Sequence, residues 1–368
     1  MLAILLAGVL VVGWSLGHAL LRDTHDSAGA KFVEWVRDHG GGGVVNDIER
    51  WWYSHHQPPK GGTPKGGIPT VAAPTAGRHP AAVPAKPVID PRDVAPPPVP
   101  TVVASPLPGE GEWKPTGKLV SGGAAVYQAF VRPDAVHTSL LAGLISLDQH
   151  RLTARLYNGL DVPGGSGWHA GSHVDPADDA GLVAAFNGGF RLDASRGGYF
   201  TEGRTVKPLV PGRASFVIHT DGTANVASWG RDATLGPDVA SVRQNLDLIV
   251  DGGQPVGGLE VGDNYRWGAT LGGKVFVWRS GVGIDARGNL IYVAGELDIV
   301  SLANVLARAG AVRAMELDIN SGWVSAYVYR GTTPADIQGE KLLGAIQRPA
   351  NRYLVPGSRD FIALFARP

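Results

Sequence analysis

The chain is organised around Val312-Arg-Ala-Met-Glu-Leu-Asp-Ile-Asn-Ser-Gly-Trp-Val-Ser-Ala-Tyr-Val-Tyr329, a run that alternates, turns and resumes. In its first eight residues Glu316 and Asp318 lie on one side of an extended chain, and apolar residues lie on the other. Asn320-Ser321-Gly322 is a turn signal, and the Val- and Tyr-rich residues after it are β-prone. The pattern predicts a strand, a tight turn and a returning strand. The strand rise puts the two carboxylates roughly 6–7 Å apart at Cα.

Two neighbouring carboxylates repel each other, so the pair at Glu316 and Asp318 suggests a function. Such a pair can divide general acid and base roles when its pKa values separate, or it can hold a cation. The alternative is a solvated sheet edge that carries two ordinary acids. The spacing alone leaves both interpretations open.

The preceding segment predicts a β-α-β crossover near the C-terminus. Residues 289–295 are strand-like, and Asp298 is a candidate N-cap for a helix with Leu302 and Val305 at helical spacing and Gly310 as its stop. If both strands lie parallel in one sheet, the two acids lie toward the carboxyl end of a strand. Ligand clefts often form at that end.

The composition limits the classes of function. The chain has 368 residues, is 44% hydrophobic, has a formal net charge of zero and contains no Cys. The absence of Cys excludes disulfides and thiol chemistry, and the balanced charge argues against nucleic acid as a partner. His169 and His173 lie in a Gly/Asp-rich loop with no helix to align them, so we expect no metal site and no cofactor.

The N-terminal residues 1–21 contain no Asp, Glu, Lys or Arg and are long enough for a bilayer core. We predict a transmembrane anchor; a cleaved signal segment with a site at residues 28–30 is the alternative. The charge bias after the span would by itself place the C-terminus in the cytoplasm. Because the following linker is typical of extracellular proteins, we instead expect a cell-membrane protein whose C-terminal domain lies outside, on the cell-wall side.

Three regions follow the predicted anchor. Residues 22–56 are predicted to form short amphipathic helices, which lie on the membrane surface, self-associate or act as a stalk. Residues 57–117 are expected to be a disordered, extended spacer, because residues 57–115 carry 16 of the 27 prolines. The spacer holds the domain out through a cell wall or tethers it to a membrane neighbour. Residues 118–368 are predicted to be the folded domain.

Several polar groups follow predicted strands. The strand at 182–186 runs into Asn187-Gly188-Gly189, the strand at 246–250 into Asp251, and the strand at 274–278 into Arg279-Ser280. Strand ends at one edge of a sheet are a common place for a site to assemble. We therefore expect Asn187, Arg279, Glu316 and Asp318 to converge on one cleft.

Four blocks of sequence stand out in order along the predicted domain. They are Val183-Ala-Ala-Phe-Asn-Gly-Gly-Phe190, Leu248-Ile-Val-Asp-Gly252, Arg279-Ser-Gly-Val-Gly-Ile-Asp285, and Ser301-Leu-Ala-Asn-Val-Leu306 followed by Gly310-Ala-Val-Arg-Ala-Met-Glu-Leu-Asp318. Together they resemble the phosphodiester glycosidase family, and the resemblance covers roughly residues 120–366. Many members of this family follow the Asp with a Gly-rich segment, Asp-Gly-Gly-Gly-Ser, whereas here Ile319-Asn320-Ser321-Gly322 follows Asp318.

The resemblance implies an α+β domain, rich in β-strands, that hydrolyses a sugar-1-phosphodiester or a related glycosidic bond, here in a cell-envelope glycan. This chemistry needs an acid, a carboxylate for water or the anomeric carbon, and a cation for the phosphate. Glu316 and Asp318 are candidates for the first two roles and Arg279 for the third, although Arg279 could instead form a structural ion pair with one of the acids. The remaining candidates for substrate binding are Asn187, Gly188, Gly189, Ser280, Asp251, Asn320 and Ser321.

A non-catalytic glycan- or cell-wall-binding module is the alternative function. The altered segment after Asp318 keeps this alternative open. Acids and Arg279 that converge in one cleft would favour an enzyme. Acids that point into bulk solvent would favour a binding module.

Overall fold

The computed structural model describes residues 2–22, 24, 26–75, 94–261, 266–267 and 276–367. Within these residues the helices are α1 (Leu2–Leu20), α2 (Ala28–Val36), α3 (Gly42–His55) and α4 (Ile299–Arg308). The strands are β1 (Lys114–Val120), β2 (Gly123–Val131), β3 (Ala142–Leu147), β4 (Leu152–Tyr157), β5 (Leu182–Asn187), β6 (Tyr199–Thr201), β7 (Arg204–Lys207), β8 (Ala214–His219), β9 (Ala224–Ser228), β10 (Val239–Gln244), β11 (Leu248–Asp251), β12 (Gln254–Pro255), β13 (Val277–Asp285), β14 (Leu290–Leu297), β15 (Ala311–Glu316), β16 (Ala326–Arg330), β17 (Gln338–Lys341) and β18 (Phe361–Ala366).

The strands form three sheets. The largest has eight strands in the order β1-β2-β3-β14-β13-β15-β11-β12. Two five-stranded sheets have the orders β7-β6-β10-β8-β9 and β17-β16-β5-β18-β4. Neighbours in all three sheets pair antiparallel. The expected mixed, strand-rich α+β architecture is confirmed.

The eight-stranded sheet is buried on both faces. Along β14, Tyr292 and Ala294 pack into the main core against the five-stranded sheets. Ile291 and Val293 alternate with them and pack on the other face, with α4. Successive side chains of a strand point to opposite faces, so a sheet covered on both sides requires apolar residues at every position. This explains why β14 is a nearly continuous apolar run.

The β-α-β crossover predicted near the C-terminus is present. Strands β14 and β15 both pair antiparallel with β13, which lies between them, so they run parallel to each other and α4 connects them. The Asp298 side chain accepts a hydrogen bond from the N–H of Ser301 at 2.7 Å, as expected for the helix cap. Buried Leu302 and Val305 hold α4 against the sheet.

The predicted return of the chain after Gly322 is wrong in one respect. Strand β15 ends at Glu316 and pairs with β13 and β11, whereas β16 pairs with β5 and β17 in another sheet. The residues between them therefore connect two sheets and do not close a hairpin. Alternation within each strand is visible in the sequence, but the choice of pairing partner depends on residues far away in the chain.

The N-terminal region is helical. Between α2 and α3 the chain kinks at His39 and Gly40, and the φ of 83° at Gly40 lies outside the helical range. Among the residues that the structure describes, no helix is long and apolar enough to cross a membrane. The anchor over residues 1–21 therefore has no support in the structure.

Part of the expected spacer packs on the domain. Val99 and Trp113 are buried in the cluster beneath α4. Glu110 and Arg132 form a salt bridge at 2.7 Å, and their side chains are 0% and 6% exposed. Within residues 94–117 the prediction of a disordered linker is thus corrected, because a few large side chains among the prolines reach the core. Residues 76–93 of the spacer lie outside the described residues.

We expect Glu110→Gln to lower the free energy of unfolding by about 3 kcal/mol, because it leaves the buried Arg132 guanidinium without its counter-charge. Glu112 is the matched control, since it pairs with Lys114 at 2.6 Å but half of each side chain is exposed. Glu112→Gln should change stability by less than about 1 kcal/mol. Urea denaturation of the full chain measures both variants. Equal, small effects would mean that residues before Lys114 do not contribute to the folded unit.

Candidate functional site

Glu316 is the last residue of β15 and is completely buried. Arg279, on the neighbouring strand β13, donates from Nη1 to Glu316 Oε1 at 2.6 Å and from Nε to the Leu297 carbonyl at 2.9 Å. Both charged side chains are 0% exposed. Burial raises the pKa of Glu316, and Arg279 counteracts that effect. Glu316 is therefore part of an internal ion pair and does not face a cleft. For Arg279 this agrees with the alternative interpretation, a structural ion pair with one of the acids.

Asn187 connects two sheets at the end of β5. Its Oδ1 accepts hydrogen bonds from the Tyr292 hydroxyl at 2.8 Å and from the Ser325 N–H at 3.1 Å. Its Nδ2 donates to Ser280 Oγ at 3.0 Å and to the Gly188 carbonyl at 2.8 Å. All the polar atoms of this side chain are thus used inside the protein. Asn187 and Ser280 act as a clamp between sheets and not as groups that face a sugar.

The two glycines after Asn187 allow side chains of the protein itself to approach. A Cβ at Gly188 would lie 2.4 Å from Asp360 Oδ2, and one at Gly189 would lie 2.9 Å from Asn245 Oδ1. Asp360 in turn accepts from Arg243 Nε at 2.7 Å, and both side chains are almost completely buried. We expected a ligand to approach the backbone closely at this turn. The structure instead places side chains of a buried polar network there.

Of the two predicted acids, Asp318 is the one that lines a cavity. Its Oδ1 accepts hydrogen bonds from the N–H groups of Ile319 and Asn320 at 2.8 and 3.0 Å, and its Oδ2 accepts from Arg359 Nη2 at 3.2 Å. Burial raises its pKa to about 6, although Arg359 and these two N–H groups counteract the rise. A cavity of about 80 Å³ lies beside it, lined among others by Phe190, Arg191, Asn320, Trp323 and Arg359.

The backbone of β13 positions Asp318. The Ser280 carbonyl accepts from the Leu317 N–H at 2.8 Å, and the Ser280 N–H donates to the Asp318 carbonyl at 2.9 Å. The Asn245 amide holds the same turn from the other side by donating to the carbonyls of Glu316 and Leu317. The chain leaves the sheet at a fixed point, and the carboxylate of Asp318 is directed into the cavity.

Two arginines that the sequence analysis missed complete the site. Arg191 follows the quoted block that ends at Phe190, and Arg359 precedes β18. Arg359 donates to the Gly189 carbonyl at 3.3 Å, and its guanidinium carbon lies 5.0 Å from the centre of the Trp323 ring. The position of Arg191 next to a predicted turn was a usable signal. Arg359 had none, because it lies in an irregular segment beyond the quoted blocks.

The N-terminal helices close the cavity. Glu34 in α2 forms an ion pair with Arg191 and lies 3.5 Å from Arg359 Nη1. Asp38 Oδ1 lies 2.5 Å from Arg191 Nη2. Tyr53 in α3 packs against a small apolar cluster that contains Phe190 and Ile319. The acids of the N-terminal segment therefore occupy the guanidinium groups nearest to Asp318.

The remaining predicted residues lie at different distances from this cavity. Asn320 lines it, and its Oδ1 accepts from the Gly322 N–H at 2.8 Å; Ser321 is half-buried beside it. Asp251 forms an ion pair with Arg231 and pairs in register with Arg313. This position is three residues before Glu316 along β15, or about 10 Å away at the strand rise. Asp251 is therefore not part of the cluster.

Comparison with known proteins confirms the resemblance seen in the sequence. Residues 180–343 match the model of the phosphodiester glycosidase family. The match contains Asn187, Arg191, Arg279, Glu316 and Asp318, and it ends before Arg359. The segment that carries most of the site is thus similar to the phosphodiester glycosidase family.

Three solved structures are similar to the chain at 13% identity each. The catalytic domain of zebrafish N-acetylglucosamine-1-phosphodiester alpha-N-acetylglucosaminidase, auto-inhibited by its pro-peptide, aligns over 70% of this chain and 88% of its own, with a TM-score of 0.41. A hypothetical protein from Synechocystis aligns over 69% and 64%, with a TM-score of 0.38. A putative exported protein from Burkholderia pseudomallei K96243 aligns over 63% and 75%, with a TM-score of 0.32. No curated protein matches the chain.

The two acids should differ in their effect on stability. We expect Glu316→Gln to lower the free energy of unfolding by about 3 kcal/mol, because it removes the carboxylate of a fully buried ion pair with Arg279. Asp318→Asn also removes the charge from a buried ion pair, with Arg359, but it keeps an oxygen for the two backbone N–H groups and leaves Glu34 beside Arg359. The expected loss is therefore smaller, about 1–2 kcal/mol. Thermal and urea unfolding of the two variants, side by side, test this. A larger loss for Asp318→Asn would mean that Asp318, and not Glu316, is the main structural acid.

Proposed function

We propose that this protein is a hydrolase that cleaves a sugar-1-phosphodiester, with Asp318 as the catalytic carboxylate and Arg191 and Arg359 as the phosphate-binding groups. The observation that carries the proposal is the direct contact of Asp318 with Arg359 beside a cavity that Arg191 and Trp323 also line. A guanidinium group matches the geometry of a phosphate. The match of residues 180–343 to the phosphodiester glycosidase family supports the same class of reaction.

The burial of Glu316 changes the division of roles expected from the sequence. Of the two predicted acids, only Asp318 lines the cavity. Its carboxylate is best used on the attacking water, because a departing phosphomonoester needs counter-charge more than it needs a proton. Asp318 takes a proton from water as the water oxygen bonds to the anomeric carbon. The bond from that carbon to the phosphate oxygen breaks, and the electron pair leaves with the phosphate, whose charge the two arginines stabilise. The products are a free sugar and a phosphomonoester.

Trp323 suits the sugar part of such a substrate. Its ring borders the cavity together with Asp318 and Arg359, and the residue is 5% exposed beneath the N-terminal helices. An indole offers an apolar face with a polar edge, which fits the mixed surface of a sugar ring. Arg279 keeps an indirect role, since it holds the end of β15 from which Asp318 projects.

Hydrolysis of a methyl diester of a hexose-1-phosphate, followed by the release of reducing sugar, tests the proposal. Asp318→Asn should lower kcat/KM by at least roughly a hundredfold, in the range expected for a general base. In the wild type, kcat/KM should rise as pH increases through about 6, because Asp318 is active only after it loses its proton. The variant should lose this rise.

Asp238→Asn is a suitable control, since Asp238 is an exposed acid whose ion-pair partner, His219, lies outside the site. Binding of the diester by folded protein without any turnover would contradict the proposal. That outcome would favour the non-catalytic glycan-binding module instead.

A substrate reaches the two arginines only when Glu34 and Asp38 leave them. We therefore expect the double variant Glu34→Gln, Asp38→Asn to raise kcat/KM of the full chain about fivefold, the effect of removing ion pairs worth about 1 kcal/mol together. Glu49→Gln is the matched control, because Glu49 pairs with Arg37 at 3.0 Å within the same segment. An equal gain in the control would mean that the segment is loosened in general, and unchanged activity in the double variant would mean that these acids do not block the site.

A further inference from the structure

Three arginines surround one indole ring next to the site described above. The guanidinium carbons of Arg348, Arg352 and Arg359 lie 5.6, 5.3 and 5.0 Å from the centre of the Trp323 ring. Because both distances are measured from the same ring centre, the guanidinium carbons of Arg348 and Arg359 lie within about 11 Å of each other. Such a concentration of positive charge is costly unless anions neutralise it.

Arg352 has a structural task that accounts for its position. It donates from Nη1 to the Trp323 carbonyl at 3.0 Å and to Ser325 Oγ at 2.9 Å. These bonds hold the link between β15 and β16. Arg348 differs, because its Nη2 donates to the Asp26 carboxylate from the N-terminal segment and its Nε has no partner among the described residues. Burial and the neighbouring Arg352 lower the pKa of Arg348.

Asp26 fills a position that favours an anion. Its side chain is 4% exposed and that of Arg348 is 7% exposed. Burial raises the pKa of Asp26, but the Ser358 hydroxyl and Arg348 more than offset this, so the pKa lies below its usual value. The Ser358 hydroxyl is buried and has no partner with hydrogen-bond geometry among the described residues. The Ser358 hydroxyl and Arg348 therefore act on the same carboxylate, that of Asp26.

The Arg348 position is continuous with the site at Asp318. A second cavity, of about 370 Å³, is bordered by Asp26, Ser358, Glu34 and Trp323. Glu34 and Trp323 also line the smaller cavity at Asp318. Glu34 thus separates two spaces that share the Trp323 wall. Ser358 and Asp26, the partner of Arg348, thus border a space that adjoins the cavity at Asp318.

We propose that Arg348 and Ser358 form a second anion-binding subsite, and that the substrate is a glycan with an anionic group on the sugar next to the scissile phosphodiester. This inference rests on the proposed function and specifies its substrate class. In the closed chain, Asp26 takes the place of the second anionic group, as Glu34 and Asp38 take the place of the scissile phosphate. The second group could be a phosphate or a uronic acid carboxylate, since a guanidinium and a hydroxyl bind either.

Three synthetic substrates test the subsite in the full-length protein. Each is a hexose-1-phosphodiester joined to a second hexose, which is unmodified in the first, carries a phosphate in the second and is a uronic acid in the third. Wild type should show a lower KM for the two charged substrates than for the neutral one. A preference for the phosphate or for the carboxylate then identifies the source of the second charge, and equal KM values for all three would overturn the proposal.

Two substitutions should act in opposite directions. Arg348→Gln should raise KM for the preferred two-anion substrate at least about tenfold, the loss of one charge-assisted hydrogen bond, and leave KM for the neutral one within about twofold. Asp26→Asn, which keeps Arg348 but weakens its internal partner, should lower KM for the two-anion substrate specifically. If Arg348→Gln does not fold, Ser358→Ala is a milder variant that tests the same subsite. Arg155→Gln is the control, because Arg155 belongs to an exposed ion pair with Asp178.

The outcomes separate this inference from the proposed function. Normal turnover with equal effects of Arg348→Gln on all substrates would leave the hydrolase intact and make Arg348 structural. If no substrate is hydrolysed, the proposed function fails, and titration calorimetry with the same three compounds decides the subsite. Tighter binding of the two-anion compounds that Arg348→Gln or Ser358→Ala removes would support it, and equal binding of all three would overturn it.

Discussion

The buried ion pair between Arg279 and Glu316 is the interaction on which the geometry of the site depends. It lies at the end of β15, where both side chains are 0% exposed. Removal of two charges from water is costly and is tolerated only with a close partner and further hydrogen bonds, which Leu297 provides for Arg279. The pair therefore fixes β13 and β15 at one register, and the next residues leave the sheet in a defined direction.

The clamp at Asn187 extends this order to a second sheet. Its side chain uses all its polar atoms to join the end of β5 to β13, to β14 and to the residue before β16. A fully satisfied buried network is rigid, because every alternative arrangement leaves a polar group without a partner. Asp318 and Trp323 lie on the link between the two clamped sheets. Rigid support behind a polar cavity is what precise placement of a reacting group requires.

The N-terminal segment complements the charge of the groove that it covers. Asp26, Glu34 and Asp38 each meet an arginine around Trp323 or beside Asp318. These pairs are partly or largely buried, so each depends on the segment staying in place. The same charge pattern that holds the segment underlies the proposed ligand, an anionic glycan with its charges spaced along the chain. In that proposal, closure and substrate choice both follow from one arrangement of arginines.

The sequence by itself determined several secondary-structure elements and showed which stretch of the chain is central to the fold. Alternation predicted β15, helical spacing and Asp298 predicted α4, and the blocks around Asn187, Arg279 and Asp318 indicated the family. The tertiary structure decided which of the two buried acids borders a cavity. Glu316 and Asp318 share one face in the extended pattern, but β13 covers the first and the chain turns before the second. Arg359 and Arg348 could not be predicted, because they reach the site from irregular segments and local patterns carry no information about contacts across the chain.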